Sequence, residues 1–296
     1  MKNKLIIFFS ALIALIFGIS SIYKNSDVSI VTSSKKQKIA TQYIVLLDLS
    51  DRISQDGQIE TDKTIIKNLF QNFKKDVFKH LIMNSKDRFQ ICIAPQKYLG
   101  FDKNLESDEL TIDLSNFKSA EKLKKLTSYE NLLGSKMDSL YDKAYKGKNP
   151  KNYQGSNIWQ YFNEELPDVT NEKYLTKLIV LTDGYFDFEK GNAEIKNDKG
   201  STTTSFISKL RRHENWKEVM KKENYCILPI NQSFKNLKIC VTEIRSKEES
   251  NLNETEMLKY IWAQWLNSSL IDSNSYTTIN HGPITNSKTK IEQFIN

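Results

Sequence analysis

The sequence predicts an α/β fold: a three-layer αβα arrangement with a Rossmann-like, mostly parallel sheet and helices on both faces. Three observations predict it. The run 43–47 (Tyr-Ile-Val-Leu-Leu) is apolar without a break and ends in Asp48, the pattern of a strand buried on both faces. A second burst, 177–181, closes with Thr182-Asp183-Gly184. Through 42–270 such bursts alternate with stretches of helical periodicity, and parallel strands require crossover connections of that kind. Open sheets of this class bind ligands at the carboxyl ends of their strands, so Asp48 and Asp183 are expected at the mouth of one crevice.

The elements follow in order. Residues 24–40 are polar and basic and read as a linker. After the strand at 42–48, Ile66, Leu69, Phe70, Phe73, Val77 and Leu81 recur at helical spacing within 61–83. A strand over 88–94 is stopped by Pro95, and alternation over 110–114 suits a short strand. The pattern of 119–146 is again helical, with Gly134 expected to bend or split it. The loop 148–157 leads to a short helix over 158–165 that is expected to end before Pro167. Residues 189–205 read as a polar excursion at the same sheet edge. A helix over 205–222 precedes two strand-like segments, 225–229 and 237–244, of which the second is the better. Asn253-Glu-Thr-Glu256 has the spacing of a helix cap with a reciprocal acid, opening a helix through Leu270 that carries Trp262 and Trp265 in its core face. The tail, 271–296, holds a strand-like patch near 276–279 and a helical end.

Composition narrows the class. Of 296 residues, 39% are hydrophobic and 27% charged, so the chain can bury a core and is not a disordered polymer. With Gly at 10 and Pro at 5, a many-turned all-β architecture is disfavoured. The formal charge of +7 is dispersed along the chain, and the lysine and arginine pairs lie on helices with apolar opposite faces, so no nucleic-acid partner is expected. Residues 1–23 form a targeting segment: Lys2 and Lys4 precede an apolar run that could either be cleaved as a secretory signal or remain as an anchor. As a helix, 5–23 would reach roughly 28 Å at ~1.5 Å per residue, enough for a membrane tether. The domain at 41–296 is therefore expected to be extracytoplasmic: periplasmic, secreted, or held at a membrane by its N-terminus. Cys92, Cys226 and Cys240 make no disulfide framework. Cys92 and Cys240 fall in strand-like runs as small buried hydrophobes, and a Cys226–Cys240 bridge stays open as an alternative.

Three polar clusters can meet at the sheet edge: Asp48, Ser50 and Asp51; Gly155-Ser156-Asn157; and Asp183 with Asp187 close behind. Carboxylates and hydroxyls are hard oxygen donors suited to Mg2+ or another divalent cation. On these residues the chain resembles a von Willebrand factor A-type (vWA) domain with a metal-ion-dependent adhesion site. Asp48 and Ser50 match the first two positions of the family's Asp-x-Ser-x-Ser. Gly155-Ser156-Asn157-Ile158 is similar to its Gly-Thr-Asp-Ile-like turn, and 178–184 to its strand ending Thr-Asp-Gly. The resemblance spans roughly 42–270, with 271–296 as a C-terminal extension. It implies metal ligation by Asp48, Ser50, Ser156 and Asp183, with Asp51, Arg52, Asn157 and Asp187 as modifiers. A partner's acidic side chain would complete the cation's shell.

One position departs from the pattern. Arg52 stands where the family has its second serine. A guanidinium about 6 Å from a divalent ion repels it by roughly 1–6 kcal/mol, for effective dielectrics from about 80 down to about 20. Asp51, Asp56 or Asp187 could offset that charge, Arg52 could point outward, or it could pair with Asp48 or Asp183 and replace the metal. Three functions follow: a metal-dependent protein–protein interaction module, a vWA-like scaffold that has lost the metal, and a metal-dependent hydrolase. The sequence has no Gly-x-Ser-x-Gly, phosphate-cradling loop or His-Glu-x-x-His, and Asp48-Leu49-Ser50 lacks a second aspartate for phosphoryl transfer, so no enzyme activity is expected.

Overall fold

The computed structural model describes residues 39–188, 194–248 and 252–296. The targeting segment at 1–23, nearly all of the linker at 24–40 and five residues of the polar excursion lie outside the described residues. Among the described residues, no helix is long and apolar enough to cross a membrane.

In chain order the strands are β1 (Ala40–Leu47), β2 (Arg88–Ile93), β3 (Thr111–Asp113), β4 (Tyr174–Leu181), β5 (Lys196–Asn197), β6 (Gly200–Ser201), β7 (Leu237–Ile244) and β8 (Tyr276–Asn280). The helices are α1 (Gln58–Lys79), α2 (Lys103–Glu109), α3 (Ser119–Ala144), α4 (158–169), α5 (Ile207–Leu210), α6 (Trp216–Lys222), α7 (Leu252–Ser268) and α8 (Ile284–Ile295). Six strands form one sheet in the order β3-β2-β1-β4-β7-β8, parallel except for β3; β5 and β6 make a separate hairpin. The expected three-layer α/β class is the observed one.

The two layers of helices follow from strand alternation. Tyr43, Val45 and Leu47 of β1, with Ile179 and Leu181 of β4, face α1, α3 and α8. Ile44, Leu46, Leu178 and Val180 face the opposite way, against α4, α5, α6 and α7, where Trp262 and Trp265 are fully enclosed. Every residue of 43–47 has 0% exposure, which is why its sequence shows no polar alternation. The tail supplies β8, parallel to β7, and α8, whose Ile291 and Ile295 join the core under α1.

Several boundaries differ from expectation. α4 does not stop before Pro167. Its middle turn, Tyr161–Glu165, widens into a π-turn in which Leu166 N–H reaches Tyr161 O, so the imino nitrogen of Pro167 is absorbed in the next turn. Gly134 does not split α3, which is one continuous helix. The segment 205–222 is two short helices, α5 and α6, rather than one. The 225–229 segment contributes a single bridge, Ser201 to Ile227. Asn253 lies inside α7, which begins at Leu252, so it is not the cap. Cys226 and Cys240 are unbridged: both are free thiols, Cys240 in the core beside α1 and Cys226 half-buried by the hairpin.

Candidate functional site at the C-terminal edge of the sheet

β1 lies where the strand order reverses: the chain crosses to β2 on one side and later returns as β4 on the other. Leu47 and Leu181 end the two neighbouring strands in register, so Asp48 and the 182–184 turn leave the sheet side by side. Asp48 N–H donates to Leu181 O at 3.1 Å. Its carboxylate, 1% exposed, accepts from Ser50 N–H at 2.9 Å through Oδ1 and from the Thr182 hydroxyl at 2.7 Å through Oδ2. Gly184 completes the turn with φ of 99°, a conformation that favours glycine, and a Cβ there would sit a tight 3.1 Å from the Ile244 side chain.

The middle cluster arrives from the other side. Asn157 N–H donates to Pro95 O at 2.7 Å just beyond β2, and the Gln96 amide donates to Ser156 Oγ at 2.9 Å. Gly155 lies directly under the 187–188 backbone: a Cβ at this residue would fall 1.6 Å from Asp187 O. The Gly155-Ser156 turn and the segment after Asp183 are therefore in contact. Asn157 is not part of the site. Its side chain caps α4 by accepting from Gln160 N–H at 3.0 Å.

Arg52 takes neither of its expected roles. It does not point to solvent and does not pair with the carboxylate of Asp48 or Asp183. It is 1% exposed and forms a two-pronged ion pair with Asp62 of α1, at 2.8 and 2.7 Å, while also donating to Asp48 O at 3.1 Å. Tyr141 of α3 and Gln58 donate to the same carboxylate at 2.8 and 2.9 Å. The arginine is a brace beneath the site that ties the end of β1 to α1 and α3. Asp56 is likewise elsewhere, paired with Lys148 at the surface.

The cation at the centre of the crevice comes from a residue the sequence reading missed. Lys247, three residues beyond β7, donates to Asp51 Oδ1 at 3.0 Å and to Asp187 Oδ2 at 3.2 Å. It stands 4.0 Å from Asp183 Oδ2 and 4.9 Å from the Tyr185 ring centre. Burial works against its charge, but Asp183, Asp187 and Asp51 together hold its pKa above the ordinary lysine value. Asp183 is the least satisfied member. Its Oδ1 accepts from Tyr185 N–H at 3.2 Å, while Oδ2 is buried without a hydrogen bond. Burial pushes its carboxyl up to about 7; Lys247 opposes that rise, while Asp48, Asp51 and Asp187 add to it. No local sequence pattern marks Lys247; it is the pairing of β7 with β4 that brings the residues just past Ile244 to the same edge.

A polar cavity of about 300 Å³ adjoins the crevice, lined among others by Tyr185, Asp187, Glu194, Thr203, Arg211 and Lys247. Its wall is held by Arg211, which pairs through two nitrogens with the buried Glu254 at 2.9 and 2.8 Å.

The fit of these donors to Mg2+ is poor. The hydrogen bonds at the Asp48 oxygens and at Ser156 Oγ leave a lone pair on each, but an ammonium fills the space among Asp51, Asp183 and Asp187. Among the described residues, no group of three or more His, Cys, Asp or Glu side chains is arranged to hold a metal ion.

No family model and no curated protein matches this chain. Solved structures do. The pilus adhesin SpaC from Lactobacillus rhamnosus GG, in its open conformation, matches at a TM-score of 0.41 and 10% identity, over 87% of this chain and 30% of that one. Proximal thread matrix protein 1 from the mussel byssus matches at 0.35 and 14%, over 87% of this chain and 47% of that one. A form of the latter described as having a zinc-occupied MIDAS motif matches equally, at 0.35 and 14%. The chain thus spans less than half the length of these proteins.

Proposed function

We propose that this chain is a non-enzymatic, vWA-like protein–protein interaction module that works outside the cytoplasm and docks its partner at the C-terminal edge of the sheet. The observation that carries this reading is the convergence of four independent segments, after β1, before α4, after β4 and after β7, on one polar crevice at the fold's switch point. The rim offers partly exposed acids, Asp51 and Asp187, beside a cavity wide enough for a side chain or two. The acids and hydroxyls in the crevice are engaged with backbone amides, Gln96, Lys247 and one another, the one hydroxyl–carboxylate pair, Thr182 on Asp48, being buried at the turn. Export rests on the Lys2/Lys4 and apolar pattern of 1–23.

A photo-reactive amino acid in place of Ser208, on the cavity rim, compared with one in place of Lys235 at the opposite edge, tests the docking face. The expected result is a discrete protein adduct from position 208 that disappears when Asp51 and Asp187 are both changed to Ala. Equal labelling from both edges would remove the edge from consideration. Metal-dependent turnover of generic phosphate or ester substrates, lost in D48A/D183A, would restore the hydrolase reading.

A second reading, in which a partner acid completes the shell of a Mg2+ ion held by Asp48, Ser50, Ser156 and Asp183, has one observation in its favour. Asp183 Oδ2 is a buried acceptor without a hydrogen bond.

A further inference from the structure

We propose that the Lys247 ammonium is the crevice's own resident cation, tethered to the chain and standing in for a metal ion, so that the edge of this domain is assembled without a divalent cation. Four observations carry it. The ammonium is within 3.2 Å of Asp51 and Asp187 and 4.0 Å of Asp183, so it is shared among carboxylates from two different strand ends. Asp183 Oδ2, in a residue only 3% exposed, has no hydrogen-bond donor and has the Lys247 ammonium 4.0 Å away as its ion-pair partner, with Arg245 acting on its charge from farther off. The lysine is held in place rather than swinging freely: its backbone N–H donates to the Tyr185 hydroxyl at 3.0 Å, its ammonium lies over that ring, and the same hydroxyl is locked to Glu254 at 2.5 Å. Finally, Arg52, another fully buried cation on the β1 side, has its positive charge committed to Asp62, so it does not neutralise the crevice acids.

The physical logic is charge balance. Asp48, Asp51, Asp183 and Asp187 bring four carboxylates to one crevice, and like charges so close in a buried site require a compensating cation. A divalent ion supplies one at the expense of shedding water and depends on its concentration in the surroundings. A lysine on the loop after β7 supplies one unconditionally. The two are mutually exclusive, because an ammonium about 4 Å from a divalent ion is strongly repelled at protein-like dielectric.

Titration with Mn2+ as the probe, followed by the free-ion paramagnetic signal, distinguishes the two cations in the full chain. The parent and K247R are expected to take up no Mn2+ saturably at millimolar concentration, and their Tm is expected to be the same in EDTA and in Mg2+. K247Q is expected to melt several degrees lower in EDTA, to recover on adding Mn2+, and to bind one ion with an affinity at least about a hundredfold above the parent's. That uptake should vanish in K247Q/D183N. Saturable uptake by the parent that D183N abolishes would overturn the proposal, as would a folded K247Q that takes up no Mn2+. If K247Q does not fold, K247M provides the same test, and the parent titration decides by itself against a resident metal or for it. Since the readout is cation binding, failure here leaves the cross-linking test of the docking face untouched.

Discussion

Asp62 and Asp183 are both buried carboxylates close to the end of β1, and each faces a basic residue, yet they are treated oppositely. Asp62, 0% exposed, accepts from two nitrogens of Arg52, from Gln58 and from Tyr141. Asp183, 3% exposed, accepts from one backbone amide, leaves an oxygen without a donor and sees its lysine only at 4.0 Å. The satisfied acid belongs to the scaffold; the unsatisfied acid belongs to the crevice. In sequence the two looked reversed in interest, because Arg52 breaks a motif while Asp62 has none. Geometry puts the departure from the motif in the foundation and the vacancy in hydrogen bonding at the mouth.

The strongest way to break this contrast is R52S, which puts a serine where the sequence resemblance has one. Removing one partner from a buried pair leaves Asp62 uncompensated, and a loss of about 3–5 kcal/mol is expected by urea unfolding. Millimolar Mg2+ should not restore it. A stable R52S that gains Mg2+ binding would show the arginine to be a site residue after all.

A second buried pair extends the scaffold side. Asp76 accepts from Lys177 at 2.7 Å and from the Tyr43 hydroxyl at 2.8 Å, between α1 and the sheet. Burial alone would raise its carboxyl, but the hydrogen bond and charge of Lys177, with Tyr43 and Lys79, carry it below its ordinary value. The folded state therefore binds fewer protons than the unfolded chain through that window, and stability rises with pH across it. The contribution is complete above the unfolded carboxylate pKa of about 4 and is lost as pH falls through the lowered folded value. D76N should cost about 2–3 kcal/mol near pH 7, and the difference from the parent should close as both are acidified toward the folded pKa. A gap that stays constant with pH would assign the loss to packing instead.

How much of this was legible in the sequence follows from what each residue's neighbours reveal. The run 43–47 and the burst before Asp183 announced buried parallel strands because no polar residue interrupts them, and the placement of Asp48, Ser50 and Asp183 at one edge followed. Gly155-Ser156 was legible as a turn, but its packing under Asp187 O depends on a contact between segments that no local pattern encodes. Pro167 was read by its usual effect, and the π-turn that accommodates it is a tertiary solution. Arg52 and Lys247 could not be assigned from sequence, since the choice of carboxylate each one meets is made by α1, α3 and the loop after β7. The residues before Ile39 were read as targeting and linker and lie outside the described residues.

Gly155 links the two regions, and G155A sharpens the comparison from the crevice side. Its added methyl cannot coexist with Asp187 O, so either the 154–157 turn or the segment after Asp183 must shift. A loss of about 1–3 kcal/mol is expected, read as a lower urea midpoint at unchanged slope. Loss of the position-208 cross-link should accompany it. A parent-like cross-link in G155A would show that docking does not need the two segments in register.

The smallest effect is expected at the crevice itself, from D183N, and its sign is the informative part. Replacing a satisfied buried carboxylate by an amide removes stabilisation, as D62N should by about 3 kcal/mol. At Asp183 the balance runs the other way. The amide oxygen of asparagine can still accept from Tyr185 N–H, so the one existing hydrogen bond survives. Its NH2 group takes the place of an oxygen that has no donor, and the charge that burial and Asp48, Asp51 and Asp187 all oppose is gone. Lys247 keeps its two closer partners, Asp51 and Asp187. D183N should therefore match or exceed the parent by up to ~1 kcal/mol in urea unfolding at pH 7.5. A loss comparable to that of D62N would place Asp183 with the scaffold and erase the distinction between the two acids.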